Sequence, residues 1–147
     1  MIGYIKNFVH AYMSTVGFGI IFNAPKHTLI KSGFAGGLGW TIYTLAMNTS
    51  DSVVLATFIA AMTVALIGEY LAVTDGNPIT VYIIPGIIPL VPGFGLYYTM
   101  LSVVEKQFDK VADYGSETFL ISMAIAGALV IVLSINTYRR QRQNPAD

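Results

Sequence analysis

The chain has 147 residues, 54% of them hydrophobic and 11% charged, with zero formal net charge and no cysteine. An ordinary soluble domain carries roughly a quarter charged residues, so a surface this poor in charge must largely face lipid rather than water. The same composition excludes disulfides, thiolate metal sites and thiol nucleophiles, and the scattered Lys and Arg leave no electrostatic footprint for nucleic acid.

Five apolar stretches, residues 5–22, 29–47, 53–73, 79–101 and 119–138, are marked off by polar or helix-breaking residues. Each is about 18 to 23 residues, enough for a helix to cross roughly 30 Å of hydrocarbon. The first has no small-residue cleavage site after it and reads as a retained span. In it Asn7, His10, Ser14 and Gly17 recur at spacings that share one helical face. That stripe points away from lipid, either to line a pathway or to hydrogen-bond with neighbouring helices. The second stretch holds Gly33 and Gly37 four residues apart with Gly36 beside them, a pattern that lets helix backbones approach closely. Ala56 and Ala60, Ala61 and Ala65, and Ala124 and Ala128 repeat the spacing. Glu69 is the acid inside the third stretch. An intramembrane carboxylate is a candidate for proton coupling, although one turn from a span end it can also reach interfacial water.

The connectors Asn23 to His27, Asn48 to Asp51 and Thr74 to Pro78 are short and predict antiparallel neighbours in a compact bundle. The polar stretch 105–117 reads as a helix end extending into water, followed by a break at Gly115. Lys26, Lys31, Arg139, Arg140 and Arg142 fall on one side of a five-span arrangement and Lys6, Lys106 and Lys110 on the other. The more basic side is expected to be cytoplasmic, with the N-terminus outside and the C-terminus inside. The expected fold is an all-α integral membrane protein of about five transmembrane helices, one domain over residues 1–147.

The fourth stretch carries the most specific signal. Pro85, Pro89 and Pro92 each lack an N–H and clash with the carbonyl four residues earlier, so no regular helix runs through residues 85–95. Broken backbone at membrane depth is tolerated only where protein covers it or where it lines a wet cavity. Pro92 followed by Gly93 suits the first turn of a new half-helix, whose free N–H groups and positive dipole end make an anion site. A proline kink that merely shapes packing is the alternative. Enzyme chemistry finds little footing: Asp51 and Asp75 fall in connectors, the two histidines lie far apart, and neither metal-ligand spacing nor a phosphate loop occurs. No cofactor and no metal are expected.

Three segments together resemble the threonine/serine exporter family: GFGIIFNAP over 17–25 leading into Leu29, GGLGWTIY over 36–43, and above all IPGIIPLVPG over 84–93 with Tyr97. The resemblance is to the small subunit of a split exporter, equivalent to the C-terminal half of single-chain members. It implies a bacterial inner-membrane subunit working with a larger membrane subunit of the same family. Such a pair would export threonine, serine or a dicarboxylate such as succinate, driven by the proton gradient. It places substrate binding at Pro85, Gly86, Pro89, Pro92, Gly93 and Gly95, with Asn23 and Tyr97 as polar neighbours. An acid at the position of Glu69 is not part of the family pattern. Two rivals stand beside this reading: a membrane scaffold or assembly subunit, and a homo-oligomeric channel.

Overall fold

The computed structural model describes residues 2–143, with side chains over 3–136, so the basic side chains of Arg139, Arg140 and Arg142 lie outside the described set. The described elements are α1 (Ile2–Ile21), α2 (Lys26–Ser50), α3 (Val53–Asp75), α4 (Thr80–Ile87), a 3-10 turn (Ile88–Leu90), α5 (Gly93–Val104) and α6 (Phe108–Gln143). Among the described residues two helices are long and apolar enough to cross a membrane, Val53–Asp75 and Phe108–Asn136. Thr80–Leu90 and Gly93–Val104 make a third if the pair, bent by 58°, counts as one span. At 20 and 25 residues α1 and α2 have the length, but Lys6, Asn7 and His10 in one and the glycines and hydroxyls of the other make them less apolar.

Three helices end on the same device. Asn23, Gly76 and Lys106 take left-handed backbone (φ 55, 66 and 59°). The N–H that follows each reaches back to a carbonyl five residues earlier: Ala24 to Gly19 at 2.9 Å, Asn77 to Ala72 at 3.2 Å and Gln107 to Ser102 at 2.9 Å. This satisfies carbonyls that a helix end otherwise leaves open and turns the chain sharply. Ser52 opens α3 by accepting the N–H of Leu55 at 3.3 Å. The break expected at Gly115 is therefore displaced: α5 ends at Val104, the turn lies at Glu105 to Gln107, and α6 runs through Gly115 uninterrupted. A glycine inside a helix costs only about 1 kcal/mol relative to alanine, whereas the left-handed residue at Lys106 reverses the chain outright.

The core sits around α3, which packs against α2, α4 and α6. Its buried residues are almost all small, Ala56, Ala60, Ala61, Val64, Ala65, Gly68 and Ala72, so neighbouring backbones come close. On α2, Gly33 lies against Tyr12 and Val16, Gly36 against Thr15, Gly37 against Phe8 and Gly39 against Val64. The side-chain oxygens of Thr15 and Thr118 are buried without a hydrogen-bond partner. Each lies against a glycine of the adjacent helix, Gly36 and Gly95 respectively. A Cα–H···O contact at close helix crossings accounts for both. Large apolar side chains such as Ile20, Leu66, Met123 and Val130 point outward, as lipid-facing positions do.

Candidate functional site

The proline segment lies where α4 gives way to α5 and is the centre of the candidate site. Pro85 is accommodated inside α4. Pro89 cannot donate to the Pro85 carbonyl, and the Ile88 N–H takes that acceptor instead, tightening the chain into the 3-10 turn. The Val91 N–H closes the turn on the Ile88 carbonyl at 3.1 Å. Val91 is then extended (φ −63°, ψ 130°), and Pro92 precedes the first residue of α5. The interruption is narrower than the sequence suggests: of residues 85–95 only Val91 and Pro92 lie outside helix. Two carbonyls expected to be orphaned, those of Pro85 and Ile88, are recovered by i+3 bonds.

Against this turn lies the polar stripe of α1. Asn7, His10, Ala11 and Ser14, together with Trp40 of α2 and Pro89, line a cleft of about 300 Å³. A second cleft of about 310 Å³ lies between the C-terminal end of α1 and α4, walled by Phe22, Ala24, Thr80, Val81, Ile84 and Pro85. Both are walled mainly by apolar surface, but the first alone carries the side chains of Asn7, His10 and Ser14. Gly19 faces α4 at Pro85: a methyl group placed on it would come within 2.7 Å of Leu29 Cδ2 and 3.8 Å of Pro85 Cβ. The groove between α1 and α4 thus carries two clefts, the one at Pro89 the more polar.

The start of α5 is open. The Gly93 N–H bonds the Val91 carbonyl at 2.8 Å, but the first turn has no side-chain cap, and a methyl group on Gly93 would meet nothing within 4 Å. Phe94 and Tyr97 beside it are 70% and 62% exposed. Uncapped N–H groups and the positive end of the helix dipole favour an anionic group at such a position.

The residues expected to form one site are distributed over several environments. Pro89 lines the polar cleft, Pro85 the second one, and Pro92 and Gly93 form the open start of α5. Gly86 is packed between Val64 and the backbone of Gly36, and Gly95 is packed against Thr118; both serve close helix crossing. Asn23 is the exposed left-handed residue that ends α1. Tyr97 projects from α5 with its ring edge-on to Tyr98. Glu69 is half-buried on α3 and lies outside both clefts. Sequence reasoning missed Trp40 as a cleft wall, although the α1 stripe needed an opposing face. It also missed a polar cluster joining Lys31 and Asp75, whose signal was available: two opposite charges flanking two connectors that a hairpin topology brings to the same end.

The family model described as "Threonine/Serine exporter, ThrE" matches residues 7–135. The chain belongs to the threonine/serine exporter family. An uncharacterized protein of Haemophilus influenzae (strain Rd) is 26% identical over 149 residues, covering 99% of this chain and 50% of that protein. The chain thus spans about half the length of that protein. No solved structure matches. Membership in a transporter family and the apolar helices together place the chain in a membrane.

Proposed function

We propose that this chain is one subunit of a secondary transporter that exports small carboxylate metabolites, namely threonine/serine-type amino acids or a dicarboxylate such as succinate. In this reading it crosses a bacterial inner membrane five times, N-terminus outside and C-terminus cytoplasmic, with α4 and α5 forming the broken fourth span. It works with a larger membrane subunit of the same family, and the proton gradient drives export. The observation that carries the reading is the polar cleft at the helix break, where Asn7, His10, Ser14 and Trp40 face Pro89. Broken helices at membrane depth characterise the solute sites of secondary transporters. Family membership and the relative of twice the length support it from outside the geometry.

None of the six cleft residues is Lys or Arg, so a carboxylate in the groove meets no permanently charged side chain there and relies on hydrogen-bond donors. That favours a zwitterionic amino acid, which brings its own counter-charge, over a dianion, because desolvating an uncompensated charge is costly. The deciding experiment is efflux from vesicles loaded with labelled threonine, serine or succinate, made from cells expressing this chain with and without a larger membrane protein of the same family from the same genome. Proton-dependent threonine or serine efflux that needs both chains is the expected result. Efflux that ignores the proton gradient would make the chain a channel. Complex formation without any efflux would make it a scaffold.

A further inference from the structure

Away from the polar cleft, the groove's neighbouring helices are fastened together by a network that the cleft does not use. Lys31, in the second turn of α2, places Nζ 2.5 Å from Asp75 Oδ1 and 2.7 Å from Oδ2. Asp75 is the last residue of α3, 44 residues away in sequence. Tyr82, the third residue of α4 and 0% exposed, donates its hydroxyl to Asp75 Oδ2 at 2.6 Å. Asn77, in the turn between α3 and α4, donates to Tyr82 Oη at 3.3 Å and lies 3.0 Å from His27 Nε2. One carboxylate on α3 therefore accepts from α2 and from α4 together.

The surroundings explain why these bonds matter for position. Where α4 passes α3, Gly68 leaves room for Tyr82 and Ile83; a methyl group there would stand 2.9 Å from Ile83 Cγ1 and 3.5 Å from Tyr82 Cβ. One turn on, the missing side chain of Gly86 brings α4 over α2, 3.9 Å from the Gly36 nitrogen by the same measure. Contacts between glycine and alanine surfaces are non-directional. The charge-assisted bonds to Asp75 are directional and short. At its other end α4 leads through the 3-10 turn to Val91 and Pro92, the non-helical pair. The element is thus an eight-residue rod with a non-helical pair beyond one end and a polar fastening at the other.

We propose that Lys31, Asp75 and Tyr82 form a latch that positions α4 against α2 and α3 and keeps the bundle closed at the Lys31 end, so that the polar cleft at Pro89 reaches that end only when the latch opens. Along α2, Trp40 in the cleft lies nine residues from Lys31, about 13 Å of helix, which is the length of protein the latch holds shut. The proposal rests on the transporter reading for its purpose, but not for its test.

The natural chain has no cysteine, so one introduced thiol reports alone. Ser32 is fully buried beside Lys31 in sequence, with its hydroxyl on the Leu29 carbonyl at 3.0 Å, and Ser32→Cys is close to isosteric. Membranes from cells expressing the full chain are treated with an impermeant maleimide at the Lys31 face, and labelling is read on this chain alone. The expected result is slow labelling with the latch intact and labelling about tenfold faster in Asp75→Asn and Lys31→Met. Tyr82→Phe, which removes a single hydroxyl, should give a smaller rise. The charge-reversed pair Lys31→Asp with Asp75→Lys should label more slowly than either single variant. Equal rates in all variants, or a reversed pair as reactive as the singles, would overturn the latch. Should Asp75→Asn fail to accumulate, Tyr82→Phe alone decides by the same comparison. The readout needs no flux: faster labelling in vesicles that move no solute would keep the latch and remove the transporter reading.

Discussion

The two helices α4 and α5 come from one apolar stretch yet live in different surroundings. α4 lies among α1, α2 and α3 and buries Tyr82, Ile83, Pro85 and Gly86. Among the described residues α5 packs on α6 alone and buries only Ser102, leaving Phe94, Met100 and Val104 outward. Those three suit acyl chains, but the uncapped N–H groups at the start of α5 do not, because hydrocarbon offers them no acceptor. The contrast separates a helix held by packing from one whose first turn still requires a polar partner, whether solute, water or protein.

The largest effects should come from forcing the two helices to exchange properties. Gly86→Leu puts a side chain where even a methyl would come within 2.8 Å of Val64 Cγ1; overpacking of this kind costs about 1–3 kcal/mol or more. A marked fall in the thermal midpoint of the detergent-solubilised protein is expected. Gly93→Leu occupies open space and gains helix propensity, so its midpoint should be unchanged or higher. If both variants lose stability equally, the distinction between the two helices is wrong.

Next in size is the effect on export of repairing the break. Pro89→Ala restores an N–H that can bond the Pro85 carbonyl, now taken by Ile88, and so favours continuing α4 as regular helix through the cleft. Export from loaded vesicles should fall at least tenfold while the protein still accumulates and assembles. Gly93→Leu should lose export to a similar degree by covering the start of α5, despite its intact stability.

How much of this was legible in the sequence differs between the same two regions. The prolines announced an interruption because the missing N–H and ring clash are properties of the residue itself. The sequence overstated its length because i+3 bonding, which recovers the Pro85 and Ile88 carbonyls, depends on the path the chain finally takes. The α1 stripe was readable from helical spacing, but its partner was not, since Trp40 is matched to it only by the antiparallel pairing of α1 and α2. Glycines carry the same ambiguity. Gly86 and Gly93 sit seven residues apart in one motif, yet one is filled by a neighbouring helix and the other faces open space. Nothing in a glycine's own chemistry distinguishes the two.

Smaller effects are expected along the α1 stripe. Asn7→Leu and Ser14→Ala each remove one polar group from the cleft wall, and the loss of a single neutral hydrogen bond is worth about 0.5–1.5 kcal/mol. Export at low solute concentration should drop roughly two- to tenfold, with the maximal rate less affected. An unchanged dependence on solute concentration in both variants would take solute binding away from this cleft.

The smallest effect is expected at Glu69, and it bears on which part of the molecule handles protons. Glu69 lies on α3 outside both clefts, six positions before Asp75, roughly 9 Å along the helix axis. If its role is structural or interfacial, Glu69→Gln should leave proton-driven export within about twofold of the parent. If it carries the coupling proton, the same substitution should abolish uphill export while solute exchange across vesicles at equal proton concentration continues, because exchange needs the solute path but no net proton transfer. The second outcome would move proton handling to α3 and leave the α1 and α4 cleft with solute alone. The first would return the search for a proton carrier to titratable groups nearer the groove, beginning with His10.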